Sequence, residues 1–175
     1  ENVSEIDLEL LSQRLDAIAS MGVPNYVGQQ RFGLYQQNYH KACDLITDTE
    51  AQSRRKLDRK QKDIYVSALR SWLFNDALVN EVKQGTWAED TDLWVYGLSP
   101  HRDIEIPAPG AEYQAAAAYI EKIQVKAHGR AKRIVPQGLR WELKGCDLQL
   151  AFSLPVGAYA TTVLEEILEI EDGQP

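Results

Sequence analysis

The sequence has little cysteine and no long apolar run. Its two cysteines, Cys43 and Cys146, are no disulfide framework, and so few cysteines are typical of a reducing compartment. No stretch approaches the roughly 20 apolar residues that a membrane-spanning helix needs. The first residues are acidic rather than basic and then apolar, which is not the pattern of a signal peptide. These absences predict a soluble, cytoplasmic protein with no membrane partner.

The signatures of common catalytic sites are absent as well. The sequence has no His-Glu-x-x-His zinc motif and no Gly-x-Ser-x-Gly nucleophile elbow. Gly28 and Gly33 have the spacing of a phosphate-binding loop, but Leu34 and Tyr35 stand where lysine and serine or threonine are needed. One histidine and one cysteine have the spacing of half a metal site, without a second pair. We therefore predict no bound metal.

The residues that are present fit one ordinary domain. The chain has 175 residues, of which 44% are hydrophobic and 26% charged, both near the averages for globular proteins. Apolar spacing and helix propensity predict a helix between Ser4, as its cap, and Gly22, and further helices over 38–46, 60–84, 111–127 and 158–169. Short apolar and alternating runs predict strands over 93–96, 133–135, 139–143 and 148–154, with a hairpin turn at 144–147. The predicted fold class is α+β.

The charges are unevenly distributed along the chain. The net charge of −7 argues against a nucleic-acid-binding protein, but residues 52–62 carry six basic side chains and one acid, and residues 122–144 carry seven and one. Two such segments on an acidic body are suited to a polyanion. They contain the candidate contacts to an RNA backbone: Arg54, Arg55, Lys56, Arg130 and Arg133. The alternative is that both segments are solvated helix faces or loop charges.

The segment 22–33 is unusually rich in glycine, aromatic and amide residues for a loop that only connects two elements. Its twelve residues include three glycines, one proline, two aromatics, one arginine and three side-chain amides. Amides can read the edge of a base, arginine can pair with a phosphate, and aromatic rings can support stacked bases. The segment therefore predicts a loop that accepts a planar, hydrogen-bonding ligand. The alternative is a tightly packed loop whose polar groups satisfy one another.

Three segments carry a resemblance to a known family. Residues 22–33 contain Asn-Tyr-Val-Gly-Gln-Gln-Arg-Phe-Gly, residues 67–75 read Ser-Ala-Leu-Arg-Ser-Trp-Leu-Phe-Asn, and residues 154–161 read Leu-Pro-Val-Gly-Ala-Tyr-Ala-Thr. In this order they resemble three motifs of the TruD family of tRNA pseudouridine synthases: Asn-Tyr-Phe-Gly-x-Gln-Arg-Phe-Gly, Ser-Ala-x-Arg-Ser-x-Leu-Phe-Asn and Leu-Pro-x-Gly-(Ser/Ala)-(Tyr/Phe)-Ala-Thr. Arg133, Pro136 and Trp141 also fall where that family has similar residues.

The resemblance implies a tRNA-modifying enzyme that needs no cofactor. Such an enzyme isomerises a uridine of tRNA, at position 13 in the bacterial family, to pseudouridine. The base leaves its stack, an aspartate acts as the nucleophile, and the uracil detaches, turns and rejoins through carbon. The implied fold is a mixed-sheet catalytic domain carrying a mostly helical inserted domain. Residues 1–47 and 134–170 would then be parts of the catalytic domain, residues 48–133 a shortened insertion and residues 171–175 a tail. The intact enzyme is expected to be a monomer.

The first motif supplies the predicted substrate-binding residues. Asn25 matches the motif asparagine, which is expected to contact or position the target uridine; its alternative role is to hold the turn of its own loop. Arg31 matches the motif arginine, for which a phosphate contact and an internal salt bridge are alternatives. Val27 replaces a family phenylalanine that lines the uridine pocket, and valine offers no aromatic face. The alternatives are that Tyr26 or Phe32 compensates for it, or that the pocket is looser.

The resemblance leaves one essential group without a match. The family's aspartate lies in a Gly-x-Lys-Asp-(Lys)-x-Ala-x-Thr type of segment, which the sequence does not contain. We therefore assign no catalytic residue, expect the nucleophilic aspartate upstream of Glu1, and expect this chain alone to be inactive. Arg70 and Asn75 of the second motif are further candidates for tRNA contact. The alternative function is a non-catalytic RNA-binding or interaction module that retains the substrate-loop half of the fold.

Overall fold

A computed structural model describes residues 8–47, 58–145 and 147–168 of the chain. The predicted RNA contacts Arg54, Arg55 and Lys56 lie outside the described residues, and so does the predicted helix cap Ser4. The described helices are Leu8–Met21 (α1), Gln37–Thr47 (α2), Arg59–Gln84 (α3), Gln114–Lys122 (α4) and Ala160–Glu165 (α5), with short 3-10 helices at Gln29–Arg31, Leu34–Gln36 and Ala111–Tyr113. Helix α5 is shorter at both ends than the predicted range 158–169.

The flanking residues of the longest helix set its ends. The Asp58 carboxylate accepts the backbone N–H of Gln61 at 2.8 Å, and the Gln61 side chain accepts the backbone N–H of Asp58 at 3.4 Å. This reciprocal pair satisfies two backbone donors at the first turn of α3. Gly85 follows the last turn with a φ of 76°, a left-handed conformation that suits glycine. The predicted helix over 60–84 is therefore confirmed.

The strands form three separate antiparallel pairs within the described residues. Val23–Pro24 (β1) pairs with Arg133–Ile134 (β4), and Asp92–Val95 (β2) pairs with His128–Ala131 (β3). Gln137–Lys144 (β5) and Asp147–Ser153 (β6) form the predicted hairpin, in which Trp141 faces Leu150 across the pair. The mixed helix and strand content agrees with an α+β class.

One predicted helix, over 111–127, is wrong at its last five residues. Helix α4 ends at Lys122, and Gln124 adopts a φ of 57°. The chain then becomes extended: Leu98 donates its N–H to the carbonyl of Val125, and Ala127 donates its N–H to the carbonyl of Leu98, both at 2.8 Å. Strand β3 follows directly. Pairing with a distant segment outweighs the local helix propensity here.

Three apolar clusters hold the elements together. The first joins α1, β1, β4 and the segment around α5 through Leu11, Leu15, Ile18, Val23, Ile134, Val163 and Ile167, with one face of the β5–β6 hairpin packed against it. The second joins α2, α3 and α4. The third joins α3 and β2 to the loop of the first motif through Val27, Phe32, Ala68, Phe74, Leu78 and Val95.

The packing couples the segments that the predicted domain division separates. Ala42 and Leu45 of α2, placed in the predicted catalytic part, pack against Tyr65, Leu69 and Leu73 of α3 in the predicted insertion. Strand β1, in the first predicted catalytic part, also pairs with β4, which begins at Arg133 at the end of the predicted insertion. The site described below lies where these segments meet.

Candidate functional site

Asn25 is built into the fold by its backbone and its side chain. Its N–H donates to the carbonyl of Lys132 at 2.8 Å, and its Nδ2 donates to the carbonyl of Ala131 at 2.7 Å. Its Oδ1 accepts a hydrogen bond from Arg130 at 2.8 Å. These opposite partners determine the orientation of the amide. One N–H and one oxygen lone pair of the amide remain for another partner.

A cleft of about 550 Å³ opens beside Asn25. One wall is the segment that runs from His128 in β3 through Arg130 to Arg133 in β4. Another wall is residues 155–158 of the third motif. The volume lies within the range of cavities that bind small ligands, about 300–1,000 Å³. The first and third motifs, about 130 residues apart in the sequence, therefore face the same cleft.

Arg130 is the side chain that connects these walls. Its Nη1 donates to the carbonyl of Gly157 at 3.0 Å, and its Nη2 donates to Asn25. Its guanidinium lies 5.3 Å from the ring centroid of Phe74, close enough for a cation–π contact. Its Nε is buried and has no hydrogen-bond partner within the described residues. Burial lowers the pKa of this arginine, and the charge of Arg31 adds to the effect.

A second, smaller pocket of about 150 Å³ adjoins the cleft, since His128, Arg130 and Gly157 line both. Arg31 of the first motif, Arg70 of the second and Tyr159 of the third also line it. The structure thus brings side chains of all three motifs to one place. Such convergence cannot come from one local sequence pattern, because the motifs lie in different elements.

Arg31 and Arg70 reach this pocket in different ways. Arg31 is exposed, and its Nε donates to the hydroxyl of Tyr159 at 3.2 Å. Arg70 donates to the carbonyls of Tyr96 at 2.7 Å, Val95 at 3.1 Å and Lys126 at 2.8 Å. These bonds tie α3 to β2 and to the segment before β3. Arg70, predicted as a tRNA contact, therefore has a structural role as well.

Val27 and Phe32 belong to the core. Val27 is 6% exposed, and the Asn75 side chain pairs with its backbone, accepting the N–H at 2.8 Å and donating to the carbonyl at 3.0 Å. Phe32 is 5% exposed and packs edge to face on Trp72 at 5.6 Å. Val27 still lines the smaller pocket. Asn75, predicted as a candidate for tRNA contact, has an internal role in the structure.

Tyr26 faces away from the cleft. It lines a groove of about 300 Å³ with Trp72, Asp76 and Tyr113, and burial and the charge of Glu166 raise its pKa. Tyr26 lies after a turn in which its N–H donates to the carbonyl of Pro24 at 3.0 Å, beyond the end of β1. Neither Tyr26 nor Phe32 is among the residues that line the cleft, so neither replaces the missing aromatic ring there.

Some basic side chains of the segment 122–144 line the cleft, whereas Lys132 is buried and stabilises the fold. Arg133 lines the cleft, donates to the carbonyl of Met21 at 3.4 Å and lies 3.9 Å from the exposed carboxylate of Asp90. Lys132 is only 4% exposed and forms ion pairs with Glu81 at 2.8 Å and Glu89 at 3.2 Å. The alternative of solvated charge does not describe Lys132.

Gly28 allows the first and third motifs to approach closely. A Cβ atom at this position would lie 2.8 Å from the ring of Tyr159 and 3.0 Å from Oγ1 of Thr161. Such distances are shorter than normal van der Waals contacts, so a side chain here would push the two motifs apart. This glycine is therefore needed for close approach rather than for an unusual backbone angle.

Two further findings concern other classes of site. Within residues 8–47, 58–145 and 147–168, no group of three or more His, Cys, Asp or Glu side chains is arranged to hold a metal ion. In the same described part of the chain, none of the helices has the length and apolar character to cross a membrane.

Several curated proteins to which the chain is similar share one name. The chain is 33% identical over 204 residues to tRNA pseudouridine synthase D of Hydrogenovibrio crunogenus, with 94% of this chain and 58% of that protein covered. It is 32% identical over 216 residues to the protein of the same name from Xanthomonas euvesicatoria, with the same coverage, and 31% identical over 201 residues to that of Aeromonas hydrophila, covering 93% and 56%. No family model matches the chain.

These similarities confirm the resemblance to the TruD family that the three segments indicate. The chain spans somewhat more than half the length of these curated relatives. The aligned stretches are longer than the chain's 175 residues, so the relatives carry residues within the aligned region that this chain lacks.

Proposed function

We propose that the chain supplies the substrate-holding part of a tRNA pseudouridine synthase, which isomerises a uridine of tRNA, at position 13 by family resemblance, to pseudouridine. The observation that carries the proposal is the convergence of all three motif segments around Arg130, next to an open cleft. The similarity of 94% of the chain to proteins named tRNA pseudouridine synthase D supports it.

In this proposal Asn25 recognises the target base. The imide edge of uracil offers an N–H donor beside a carbonyl acceptor, and the Asn25 amide retains one acceptor site and one donor for them. Because its other bonds orient the amide before a ligand arrives, little ordering remains to be done on binding. The side chain is 5% exposed, so the contact forms at the inner wall of the cleft.

The nucleophile comes from elsewhere in this proposal. The aspartate that attacks the nucleotide lies upstream of Glu1, since no family-type segment for it occurs in the 175 residues. The residues of this chain hold the extruded nucleotide while the base detaches, turns and rejoins the ribose through carbon. No cofactor takes part.

The proposed partner is tRNA, bound by an enzyme that acts as a monomer in the cytoplasm. Arg130 and Arg133 at the cleft, and Arg54, Arg55 and Lys56 outside the described residues, are its proposed backbone contacts. The proposed division is into catalytic parts at 1–47 and 134–170 and a shortened insertion at 48–133, and the relatives carry extra residues within the aligned region as a whole.

Tritium release from unmodified tRNA containing 5-tritiated uridine tests the proposal, with the natural full-length protein as the enzyme. We expect release from the wild type and a strong loss of kcat in Asn25→Ala at unchanged circular dichroism. A folded full-length protein that binds tRNA but releases no tritium would instead favour the non-catalytic RNA-binding module. Equal losses of stability and activity in Asn25→Ala would restrict Asn25 to its structural role.

A further inference from the structure

The small pocket beside the cleft concentrates positive charge. Arg31, Arg70 and Arg130 line it together with His128 and the hydroxyl-bearing Tyr159. None of its lining residues is acidic. Within the described residues, none of the three arginines forms an ion pair with a carboxylate. Three like charges around about 150 Å³ repel one another unless an anion joins them.

Neutral groups hold these cations in place. Arg70 is oriented by three backbone carbonyls, Arg130 by the carbonyl of Gly157 and by Asn25, and Arg31 by the Tyr159 hydroxyl. The protein thus positions the guanidinium groups without neutralising them. An anion that enters the pocket finds the donors already ordered, which reduces the entropic cost of binding.

Each arginine also retains unused donors. Within the described residues, no hydrogen bond involves the two terminal nitrogens of Arg31, Nη1 of Arg70 or Nε of Arg130. The Nε of Arg130 is buried as well as unpartnered, and a buried donor without an acceptor is costly. A ligand with several acceptor oxygens would satisfy several of these donors together.

His128 shows the effect of this positive potential. Burial lowers its pKa, and the charges of Arg70 and Arg130 lower it further. Its Nδ1 lies 3.4 Å from Nη2 of Arg70, so the neutral ring can accept a hydrogen bond from that arginine. An anion bound between the arginines would reverse the electrostatic contribution and raise the pKa of His128.

From these observations we infer that the pocket of Arg31, Arg70 and Arg130 binds one backbone phosphate of the RNA, immediately beside the nucleotide held in the cleft. Guanidinium forks match phosphate oxygens in geometry and charge. The pocket has less than a third of the volume of the cleft and shares Arg130 and Gly157 with it, so a phosphate and its own or neighbouring base fit side by side. The inference rests on the proposed function.

The arrangement would make Arg130 a coupling point between phosphate and base. Its Nε has no partner among the described residues, while its Nη2 holds the Asn25 amide. A phosphate in the pocket would hold Arg130, and through it Asn25, in the orientation that reads the base. The pocket then selects polynucleotide over free uridine, because only a linked nucleotide fills both cavities.

Arg31 is the residue with which to test the inference, because it is exposed and its single side-chain bond is to Tyr159. The probe is a synthetic RNA stem-loop carrying the target uridine, with a neutral methylphosphonate in place of either flanking phosphate. For the full-length wild type we expect one of the two substitutions to weaken binding about tenfold, as the loss of a charge-assisted contact should. Arg31→Gln should weaken binding to the unmodified RNA similarly.

Combining Arg31→Gln with the methylphosphonate RNA tests whether Arg31 contacts that phosphate. If Arg31 contacts that phosphate, the same methylphosphonate causes little further loss in Arg31→Gln. Arg102→Gln, at a side chain 89% exposed and outside the pocket lining, is the control and should retain the full methylphosphonate effect. Fully additive losses for both flanking phosphates, or no loss for either, would overturn the inference.

A second readout is the titration of His128, followed by NMR and assigned with His128→Gln. Addition of the unmodified stem-loop should raise the pKa of His128 in the wild type, and less in Arg31→Gln. An unchanged titration with RNA bound would also overturn the inference. Tritium release by the wild type with no coupling to Arg31 would refute only the phosphate site, whereas coupling without any tritium release would refute only the proposed enzyme activity.

Discussion

Replacement of Glu81 by glutamine tests whether the buried ion pairs of Lys132 hold the site in place. Lys132 follows Arg130 and Ala131, and its carbonyl accepts the backbone N–H of Asn25. Its ammonium group lies 2.8 Å from Oε2 of Glu81 in α3 and 3.2 Å from Oε2 of Glu89. Glu81→Gln keeps the shape of the side chain and its capacity to accept hydrogen bonds while removing the nearer charge.

The structure predicts unequal contributions from the two carboxylates. At an effective dielectric constant near 20, charges 2.8 Å apart attract by about 6 kcal/mol. The Glu89 side chain is 60% exposed, and in nearly aqueous surroundings an attraction over 3.2 Å is only about 1 kcal/mol. Burial of Lys132 offsets several kcal/mol of the first value. We therefore expect Glu81→Gln to lower the free energy of unfolding by about 2 to 3 kcal/mol, since it leaves a buried ammonium partly unpaired.

Urea and thermal denaturation, followed by circular dichroism, measure this loss. For a chain of this size it corresponds to a decrease in Tm of about 4 to 12 °C. The matched control is Glu89→Gln, for which we expect about 0.5 kcal/mol or less because that carboxylate is mostly solvated. Equal losses in the two variants, or less than about 0.5 kcal/mol in Glu81→Gln, would refute the electrostatic reasoning.

Three further predictions concern acid stability, the loop and the contact between motifs. Hydrogen bonds from Lys132 and Thr86 lower the pKa of Glu81 from its ordinary value of 4.5. The stabilisation by Glu81 is therefore present above that value and is lost as the pH falls through the lower folded-state pKa. The stability difference between wild type and Glu81→Gln should vanish in acid, and a constant difference in urea titrations would contradict this. Asn75→Ala should lower the free energy of unfolding by about 2 to 3 kcal/mol, because it leaves both backbone groups of buried Val27 unpaired. Urea denaturation measures this loss, and an unchanged stability would mean that water replaces the amide. Gly28→Ala should cost about 1 to 3 kcal/mol by forcing the Tyr159 ring aside, and an unchanged Tm would show that the ring yields freely.

Local sequence signals were sufficient for the elements whose causes are local. Asp58 and Gly85 determine the ends of α3, and the turn around Gly145 joins two strands whose alternating apolar residues define their own register. Each of these features depends on residues within one or two turns of the chain. The corresponding predictions are confirmed because no distant segment competes with them.

Strand β3 shows why other features could not be predicted. Residues 128–131, His-Gly-Arg-Ala, have neither alternation nor β-branched side chains, and their only reason to be extended is the pairing with β2. Gly129 fits there because Asp92 approaches to within 2.5 Å of the position that a Cβ would occupy. A partner more than 30 residues away leaves no mark in the local pattern.

In the site, too, features with local causes could be predicted and features that depend on distant residues could not. The composition of 22–33 predicted a ligand-binding loop, and the resemblance to the TruD family selected Asn25, which lines the cleft. Its partners Ala131 and Arg130 are separated from it by 106 and 105 positions, so no spacing rule could supply them. Nothing in the sequence distinguishes the direction of Tyr26 from that of its neighbours, because the turn after β1 is recognisable only from the hydrogen bond between Tyr26 and Pro24.

The segment from Arg130 to Arg133 explains why counting charges is a poor guide to function. A bend at Lys132, between β3 and β4, separates the directions of these side chains. Arg130 lines the pocket beside the cleft, while Lys132 is paired with Glu81 and Glu89 in the scaffold. The same short stretch therefore both anchors the site and lines it, because the charge of Lys132 is neutralised by two carboxylates whereas Arg130 has no carboxylate partner among the described residues. The charges available to the proposed RNA ligand are those whose donors the fold positions but leaves without partners, and in the described part of the chain Arg31, Arg70 and Arg130 meet that condition around a single pocket.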